Sequence, residues 1–254
     1  MNLLEQIISH KKKEVAERKK QWSIERLQEE RLYSRIALSL KKFISNPSKL
    51  GVIAEFIRRS PTRGIINDKH SVEAVTKAYK AYGASAISIT TDLKYYGGSL
   101  DDLVSARDNG LPILRRDFII DEYQLVESKA FGADAVSLIA SCLTREEVMH
   151  LIKRGKSLGM EVILEIENET ELEYINDLVS MVCIRNDSAF DLDQTIQLGS
   201  QLPPGKLKIA GIDINGAGDV RLLKQGGYDG FLIGEYFMRQ ENPMMAFKEF
   251  SYTY

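Results

Sequence analysis

The sequence predicts an α/β protein, a TIM (β/α)8 barrel with an N-terminal helical extension. From residue 51 onward, short runs rich in Val, Ile and Ala alternate with longer amphipathic segments. The short runs are apolar throughout, which is typical of parallel strands that are buried on both faces. Eight such strand–helix units in about 200 residues favour a closed barrel. An open, doubly wound sheet is the alternative, but such a sheet normally has fewer strands.

Eight segments are predicted to be strands because each is a short apolar run. They are GVIAE (51–55), AISITT (86–91), PILR (112–115), DAVSLIA (134–140), EVILEI (161–166), MVCIR (181–185), KLKIA (206–210) and GFLIG (230–234). Helices are predicted between and after them, around residues 71–81, 99–108, 121–130, 144–158, 169–175, 192–201, 217–226 and 243–250. Glycine-rich turns such as YGAS and FGAD precede several strands and suit helix C-caps.

The N-terminal segment, residues 2–33, is predicted to be helical. Its apolar residues recur at helical spacing among many Lys and Glu residues: Leu3, Leu4, Ile7, Ile8 and Val15. The basic run KKKEVAERKK has acidic residues within it, which favours a solvated helix face over a nucleic-acid patch. No break in composition follows, so we expect one domain over residues 1–254, with a helical extension (1–48) and a barrel (49–254).

The composition excludes several classes of function. The chain is 44% hydrophobic and 28% charged, and its net charge of -2 gives no reason to expect nucleic acid or an anionic membrane as a partner. Cys142 and Cys183 fit a reducing compartment and argue against a disulfide framework. Neither the cysteines nor the three scattered histidines have metal-site spacing. No apolar run reaches about 18 residues, and the N-terminus lacks the apolar core of a secretory signal. We therefore expect a cytoplasmic protein.

The C-terminal ends of the strands are where a barrel of this kind carries its active site. Glu55 and Glu165 end two buried strands, and four arginines lie at or after strand ends: Arg58, Arg115, Arg116 and Arg185. Two carboxylates among cations suit proton transfer on an anionic substrate. A structural ion-pair network is an alternative of equal weight.

The stretch GFLIGEYFM (230–238) predicts a phosphate-binding turn. Many barrels bind phosphate with the loops after strands seven and eight and a short helix beside them. Gly234 would let backbone N–H groups approach the phosphate closely. A plain strand-to-helix turn is the alternative. Tyr96 and Phe118 are candidates for flanking a flat aromatic ligand, although isolated aromatic residues more often belong to the core.

Several motifs together resemble the indole-3-glycerol-phosphate synthase family over nearly the whole chain. They are VIAEFIRRSPTRG, ITTDLKYYGGSLDDL, PILRRDFIIDEYQ, FGADAVSLIASCLT, GMEVILEIENETEL, GYDGFLIGEYFMR and the N-terminal helical extension. The resemblance implies a carbon–carbon lyase of tryptophan biosynthesis that needs no metal or organic cofactor. The implied reaction closes the indole ring of 1-(2-carboxyphenylamino)-1-deoxyribulose 5-phosphate with loss of CO2 and water. We expect this small phosphorylated, anthranilate-type molecule as the partner, and a monomer or weak homo-oligomer.

The resemblance also implies three sets of site residues. The catalytic residues would be Glu55, Arg116 and Glu165, with Arg116 at the position of the family's general-acid lysine. The substrate-binding residues would be Arg58, Ser60, Tyr96, Phe118, Arg185 and Asn186. The phosphate-binding residues would be Gly211, Gly234 and Glu235.

The sequence departs from the family pattern mainly at this site. Ile57 replaces the lysine of the motif Glu-x-Lys, and Arg116 replaces the lysine of Leu-x-Lys-Asp/Glu-Phe. Arg185 stands where the family has asparagine. After strand seven, an ungapped alignment places Asp213 at a phosphate-loop glycine, whereas a shifted alignment keeps Gly211 there. An aspartate at that position would repel a phosphate dianion unless it turns away or pairs with an arginine.

These departures predict weak activity. The pKa of arginine lies above about 12, so Arg116 is a poor proton donor near neutrality, and Ile57 offers neither charge nor proton. Loss of a general acid costs roughly 10²–10⁴-fold in rate. Lys94, in the loop after strand two, is the only nearby candidate for a substitute acid. The alternatives are a catalytically silent or repurposed barrel that binds a phosphorylated or carboxylated anion, and an altered enzyme on the same scaffold.

Overall fold

Eight parallel strands close into a barrel in the computed structural model, which describes residues 2–185 and 191–253. The strands are β1 (Val52–Phe56), β2 (Ala86–Thr90), β3 (Ile113–Arg116), β4 (Ala135–Ile139), β5 (Glu161–Ile166), β6 (Met181–Ile184), β7 (Leu207–Ala210) and β8 (Gly230–Ile233). Each strand pairs with the next along the chain, and β8 pairs with β1 to close the ring. The TIM-barrel prediction is confirmed, and every predicted strand boundary lies within one residue of the observed one.

Helices surround the barrel and precede it. They are α1 (Leu3–Gln21), α2 (Ile24–Gln28), α3 (Leu40–Ile44), α4 (Val72–Ala81), α5 (Leu93–Tyr96), α6 (Leu100–Ser105), α7 (Glu122–Ala130), α8 (Arg145–Ser157), α9 (Leu192–Ser200), α10 (Ala217–Gln225), α11 (Glu235–Met238) and α12 (Pro243–Thr253). The predicted helix around 169–175 is a 3-10 helix, Glu169–Tyr174.

The N-terminal segment is not one helix over residues 2–33. α1 begins at an Asn2–Glu5 capping box and ends at Gln21; the C-cap residue that follows, Trp22, has an extended backbone. Ser23 then caps α2, since its side chain accepts a hydrogen bond from the backbone N–H of Arg26. No helix in the described part of the chain is both long and apolar enough to cross a membrane.

A short hairpin follows β1, where the sequence predicts only a loop. Arg59–Ser60 pairs in antiparallel fashion with Gly64–Ile65. Gly64 has a φ of 69°, a conformation that glycine adopts without strain. The hairpin carries Pro61, Thr62 and Arg63 over the end of the barrel.

Alternation along the strands places the site residues inside the barrel. Ile53, Leu114 and Ile163 form part of the inner core, together with Leu40 and Ile44 of α3. Two residues further along the same strands, the inward positions are held by Glu55, Arg116 and Glu165. The apolar interior therefore gives way to charge at the C-terminal end of the barrel.

One lysine of the basic N-terminal run is buried, although the run is predicted to be a solvated face. Lys12 and Lys13 are exposed, but Lys11 is fully buried. Its Nζ contacts Asp92 Oδ2 at 2.7 Å and Asp117 Oδ1 at 2.9 Å. Both carboxylates follow strand ends of the barrel, so Lys11 attaches α1 to the ends of β2 and β3.

Candidate active site

A cavity of about 590 Å³ lies at the C-terminal end of the barrel. Most of the residues predicted for the site line it: Glu55, Ser60, Tyr96, Arg116, Phe118, Arg185, Gly211, Gly234 and Glu235. Glu165 lies just beneath, in contact with Arg116. The structure thus brings together residues from seven of the eight strand ends.

Arg116 lies between the two predicted carboxylates. Its Nη1 donates to Glu55 Oε1 at 2.8 Å, and its Nε donates to Glu165 Oε1 at 3.0 Å. Arg185 Nη1 donates to Glu165 Oε2 at 3.1 Å, and the hydroxyl of Ser88 donates to Glu55 Oε1 at 3.0 Å. We call these two carboxylates and two guanidinium groups the central network; their formal charges sum to zero.

The central network holds its charges firmly. Burial alone would raise the pKa of Glu165, but the ion pairs with Arg116 and Arg185 outweigh burial and lower it to about 2. Burial would lower the pKa of Arg116, but Glu165 and Glu55 outweigh it and raise that pKa well above its usual range. Near neutral pH, therefore, Glu165 stays ionised and Arg116 does not release its proton.

The described cavity lining contains no lysine. Its cations are Arg63, Arg116 and Arg185, and Ile57 is a buried apolar part of the wall. Lys94 is exposed and lies over the ring of Tyr95, with its Nζ 5.2 Å from the ring centroid. Lys94 is therefore not among the groups that line the cavity.

Two of the arginines in the sequence prediction point elsewhere. Arg58 forms a bidentate pair with Asp102 of α6, at 2.5 and 2.8 Å, and is absent from the described cavity lining. Arg115 is fully buried on the outer side of β3, where it binds Asp117 and Glu127 at 2.8 and 2.9 Å. Arg115 faces outward because neighbouring residues of a strand point to opposite faces. Asn186 lies outside the described residues.

An apolar wall stands beside the central network. The rings of Tyr96 and Phe118 are 6.0 Å apart with a 46° angle between their planes. Ile7 and Leu4 of α1 pack against them. The helical spacing of these α1 residues is visible in the sequence, but nothing in the sequence indicates where their apolar face packs. The wall suits a flat aromatic ligand.

The opposite end of the cavity, which we call the loop end, is formed by the hairpin and by the loops after β7 and β8. Here Arg63 contacts both Asp213 and Glu235; its Nε lies 2.9 Å from Glu235 Oε2. Burial raises the pKa of Glu235, and Asp213 and Glu55 raise it further, while Arg63 acts in the opposite direction. Arg63 was not among the predicted site residues, because only the fold of the hairpin places it here.

Both glycines predicted to bind phosphate have packing roles. A Cβ atom on Gly234 would lie 2.8 Å from Glu55 Oε2, and one on Gly211 would lie 2.6 Å from the Sγ of Cys183. A side chain at either position would collide with a neighbouring strand. The backbone N–H of Gly211 also donates to Ile184 O at 2.8 Å.

Solved structures of other proteins share the fold. The native KDPGal structure aligns with a TM-score of 0.61 and 17% identity, covering 82% of this chain and 93% of that one. A chain of the tryptophan synthase a2b2 complex from the hyperthermophile Pyrococcus furiosus aligns with a TM-score of 0.60 and 16% identity, covering 80% of this chain and 97% of that one. At these identities the similarity concerns the fold alone.

Sequence comparisons are more specific. A family model described as "Indole-3-glycerol phosphate synthase" matches residues 4–250. A protein of that name from Bacteroides thetaiotaomicron is 42% identical over 254 residues, covering 98% of this chain and 97% of the relative. Another, from Campylobacter fetus, is 34% identical over 253 residues, covering 97% and 98%. The chain belongs to the indole-3-glycerol phosphate synthase family of barrel lyases in tryptophan biosynthesis.

Proposed function

We propose that this chain carries out the ring closure of its family slowly, because the cation at the centre of its cavity is an arginine. The reaction would close the indole ring of an anthranilate-bearing deoxyribulose derivative, with loss of CO2 and water. One observation carries the proposal: Arg116 is held by Glu55 at 2.8 Å and by Glu165 at 3.0 Å, at the base of a cavity with an aromatic wall. Arg116 supplies positive charge at the reacting centre, but it does not release a proton near neutral pH.

The residues divide the work as follows. Tyr96 and Phe118, with Ile7 beneath them, would hold the anthranilate ring. The guanidinium of Arg116 would hydrogen-bond the substrate oxygen that gains negative charge as the new carbon–carbon bond forms, and so stabilise it electrostatically. Departure of that oxygen as water requires a proton. Since Arg116 does not supply one near neutrality, the proton would come from solvent, and the step would be slow.

A turnover assay on the phosphorylated anthranilate-type substrate, following indole fluorescence, tests the proposal. We compare the chain with Ile57→Lys, Arg116→Lys and the double variant. A restored general acid is worth roughly 10²–10⁴-fold, so the double variant should exceed the parent by a factor in that range. Ile36→Lys is the matched control, because Ile36 is 88% exposed and lies outside the described cavity lining. Turnover by the parent at about 1 per second or faster would contradict the proposal.

A second function is favoured by the cations of the cavity. All three described cations in the lining are arginines, which keep positive charge without offering a proton near neutrality. A catalytically silent barrel that binds a carboxylated or phosphorylated anion would need positive charge in its cavity but no proton donor. Saturable binding of the substrate, together with no product from either the parent or the double variant, would favour this function over slow catalysis.

A further inference from the structure

The loop end of the cavity holds two carboxylates, of Asp213 and Glu235, for the one guanidinium group of Arg63. We propose that this cavity selects a ligand whose tail is an uncharged, hydroxyl-bearing chain rather than a phosphate ester, and that Asp213 makes the selection together with Glu235. This inference names the class of ligand for the proposed function. It rests on that function in one respect, namely that the cavity is the substrate site.

The first support is the ratio of charges. The single guanidinium of Arg63 contacts the carboxylates of both Asp213 and Glu235. Asp213 is thus paired with an arginine, but that arginine is shared, and the formal charges of the three groups sum to −1. A phosphate dianion placed here would meet two carboxylates for one cation, and like charges in partly desolvated surroundings repel.

Neighbouring charged side chains among the described residues do not reverse this balance. Glu55 adds a third carboxylate, since its Oε2 lies 2.8 Å from the position of a Cβ atom on Gly234. Its charge is already matched by Arg116. Arg239 is directed to Asn215 Oδ1 at 3.3 Å and to the ring of Tyr236, and it is not in the described cavity lining.

The glycines of this end are explained without a phosphate. Gly211 and Gly234 make room for Cys183 and Glu55, respectively. The backbone N–H of Gly211 is already donated to Ile184 O. Packing against the neighbouring strands therefore gives both glycines a role that does not require a phosphate.

The same groups suit hydroxyl groups well. Carboxylates are strong acceptors for O–H donors, and a serine or threonine hydroxyl both donates and accepts. Asp213, Glu235, Ser60 and Thr62 all line the cavity. An uncharged polyol tail would donate hydrogen bonds to the carboxylates without adding charge to this end of the cavity.

The test compares two ligands that differ only in the phosphate. Indole-3-glycerol phosphate and indole-3-glycerol are titrated into the full chain by isothermal titration calorimetry at neutral pH and low salt. The parent should bind the unphosphorylated compound at least about tenfold more tightly. Asp213→Asn, which removes the charge but keeps the shape, should shift the ratio toward the phosphorylated compound by about tenfold. Asp193→Asn, at an exposed position of α9, removes the same charge elsewhere and should leave the ratio unchanged.

Each outcome has one meaning. Tighter binding of the phosphorylated compound by the parent, or an unchanged ratio in Asp213→Asn, overturns the inference. A preference for the unphosphorylated compound in a protein that shows no turnover sustains the inference and refutes only slow catalysis. Turnover of the phosphorylated substrate with a preference for phosphate refutes only the inference. If neither compound binds, the cavity is not a substrate site and both proposals are wrong.

Discussion

Arg116 keeps a positive charge at the centre of the site but cannot act there as a proton donor near neutral pH. A guanidinium can satisfy two carboxylates at once, as it does with Glu55 and Glu165. The same contacts stabilise its charged form, so the better it fits, the less readily it gives up a proton. Ile57 removes a second proton donor from the site, because a buried apolar side chain stands at the position of the motif's lysine.

Glu165 leads to a prediction about pH. Its pKa of about 2 lies below the ordinary 4.5, so its ionised form stabilises the folded state above about pH 4.5, and this contribution is lost as the pH falls toward 2. Breaking a buried ion pair costs about 3–5 kcal/mol. Glu165→Gln should therefore lower the free energy of unfolding by about that amount at pH 7, and the deficit should shrink at pH 3.

Urea unfolding of both proteins at pH 7, 5 and 3 measures this deficit. Glu146→Gln is the control, because Glu146 is exposed in the first turn of α8. That variant should follow the parent at all three pH values. A deficit of Glu165→Gln that stays constant with pH would mean that the ion pairs with Arg116 and Arg185 do not stabilise the fold.

Helix α1 is held to the barrel by a buried charge cluster. Lys11 contacts Asp92 and Asp117, and Asp117 is also bound by Arg115 at 2.8 Å. Asp117 directly follows Arg116, so this cluster adjoins the central network along β3. The helix therefore brings Leu4 and Ile7 to the aromatic wall in a position set by the strand that carries Arg116.

We expect Lys11→Met to separate α1 from this position. The substitution keeps the side-chain length but leaves the carboxylates of Asp92 and Asp117 with less compensation, at a cost of about 3–5 kcal/mol. It should also weaken the binding of indole-3-glycerol, measured by calorimetry, because the aromatic wall loses its backing. Lys12→Met, at the exposed neighbouring position, should change neither property. Equal stability of the two variants would refute a positioning role for Lys11.

At the scale of the whole molecule, the N-terminal helices share packing with the barrel at both ends. Leu40 and Ile44 of α3 belong to the inner core with Ile53 and Leu114, while Lys11 binds at the opposite, C-terminal end of the strands. Two such attachments couple the extension to the barrel energetically.

The chain should therefore unfold as one unit. Differential scanning calorimetry should show a single transition for the full chain, with a calorimetric enthalpy equal to the van't Hoff enthalpy. Trp22 packs in the α1–α2–α7 cluster, so its fluorescence reports on the N-terminal helices. An early, separate transition that coincides with a change in Trp22 fluorescence would show instead that residues 1–48 form an independent unit.

Local pattern in the sequence was sufficient for the barrel. A strand that is buried on both faces is apolar along its length, so each strand can be recognised from its own composition, and the boundaries agree within one residue. Alternation within β3 likewise places Arg115 outward and Arg116 inward. The prediction of cations at the strand ends grouped the two arginines together and did not apply this rule.

The pairing of charges depended on the folded chain. Arg58 meets Asp102, 44 residues away, and Arg63 meets Asp213, 150 residues away. Neither partner has a local signature, because an ion pair depends on where loops bring side chains together and not on sequence spacing. The family, the barrel and the inward carboxylates follow from the order of residues. Whether each arginine faces a ligand or a carboxylate is settled by the three-dimensional path of the loops, since a charge in a partly buried site is stable only beside its counter-charge.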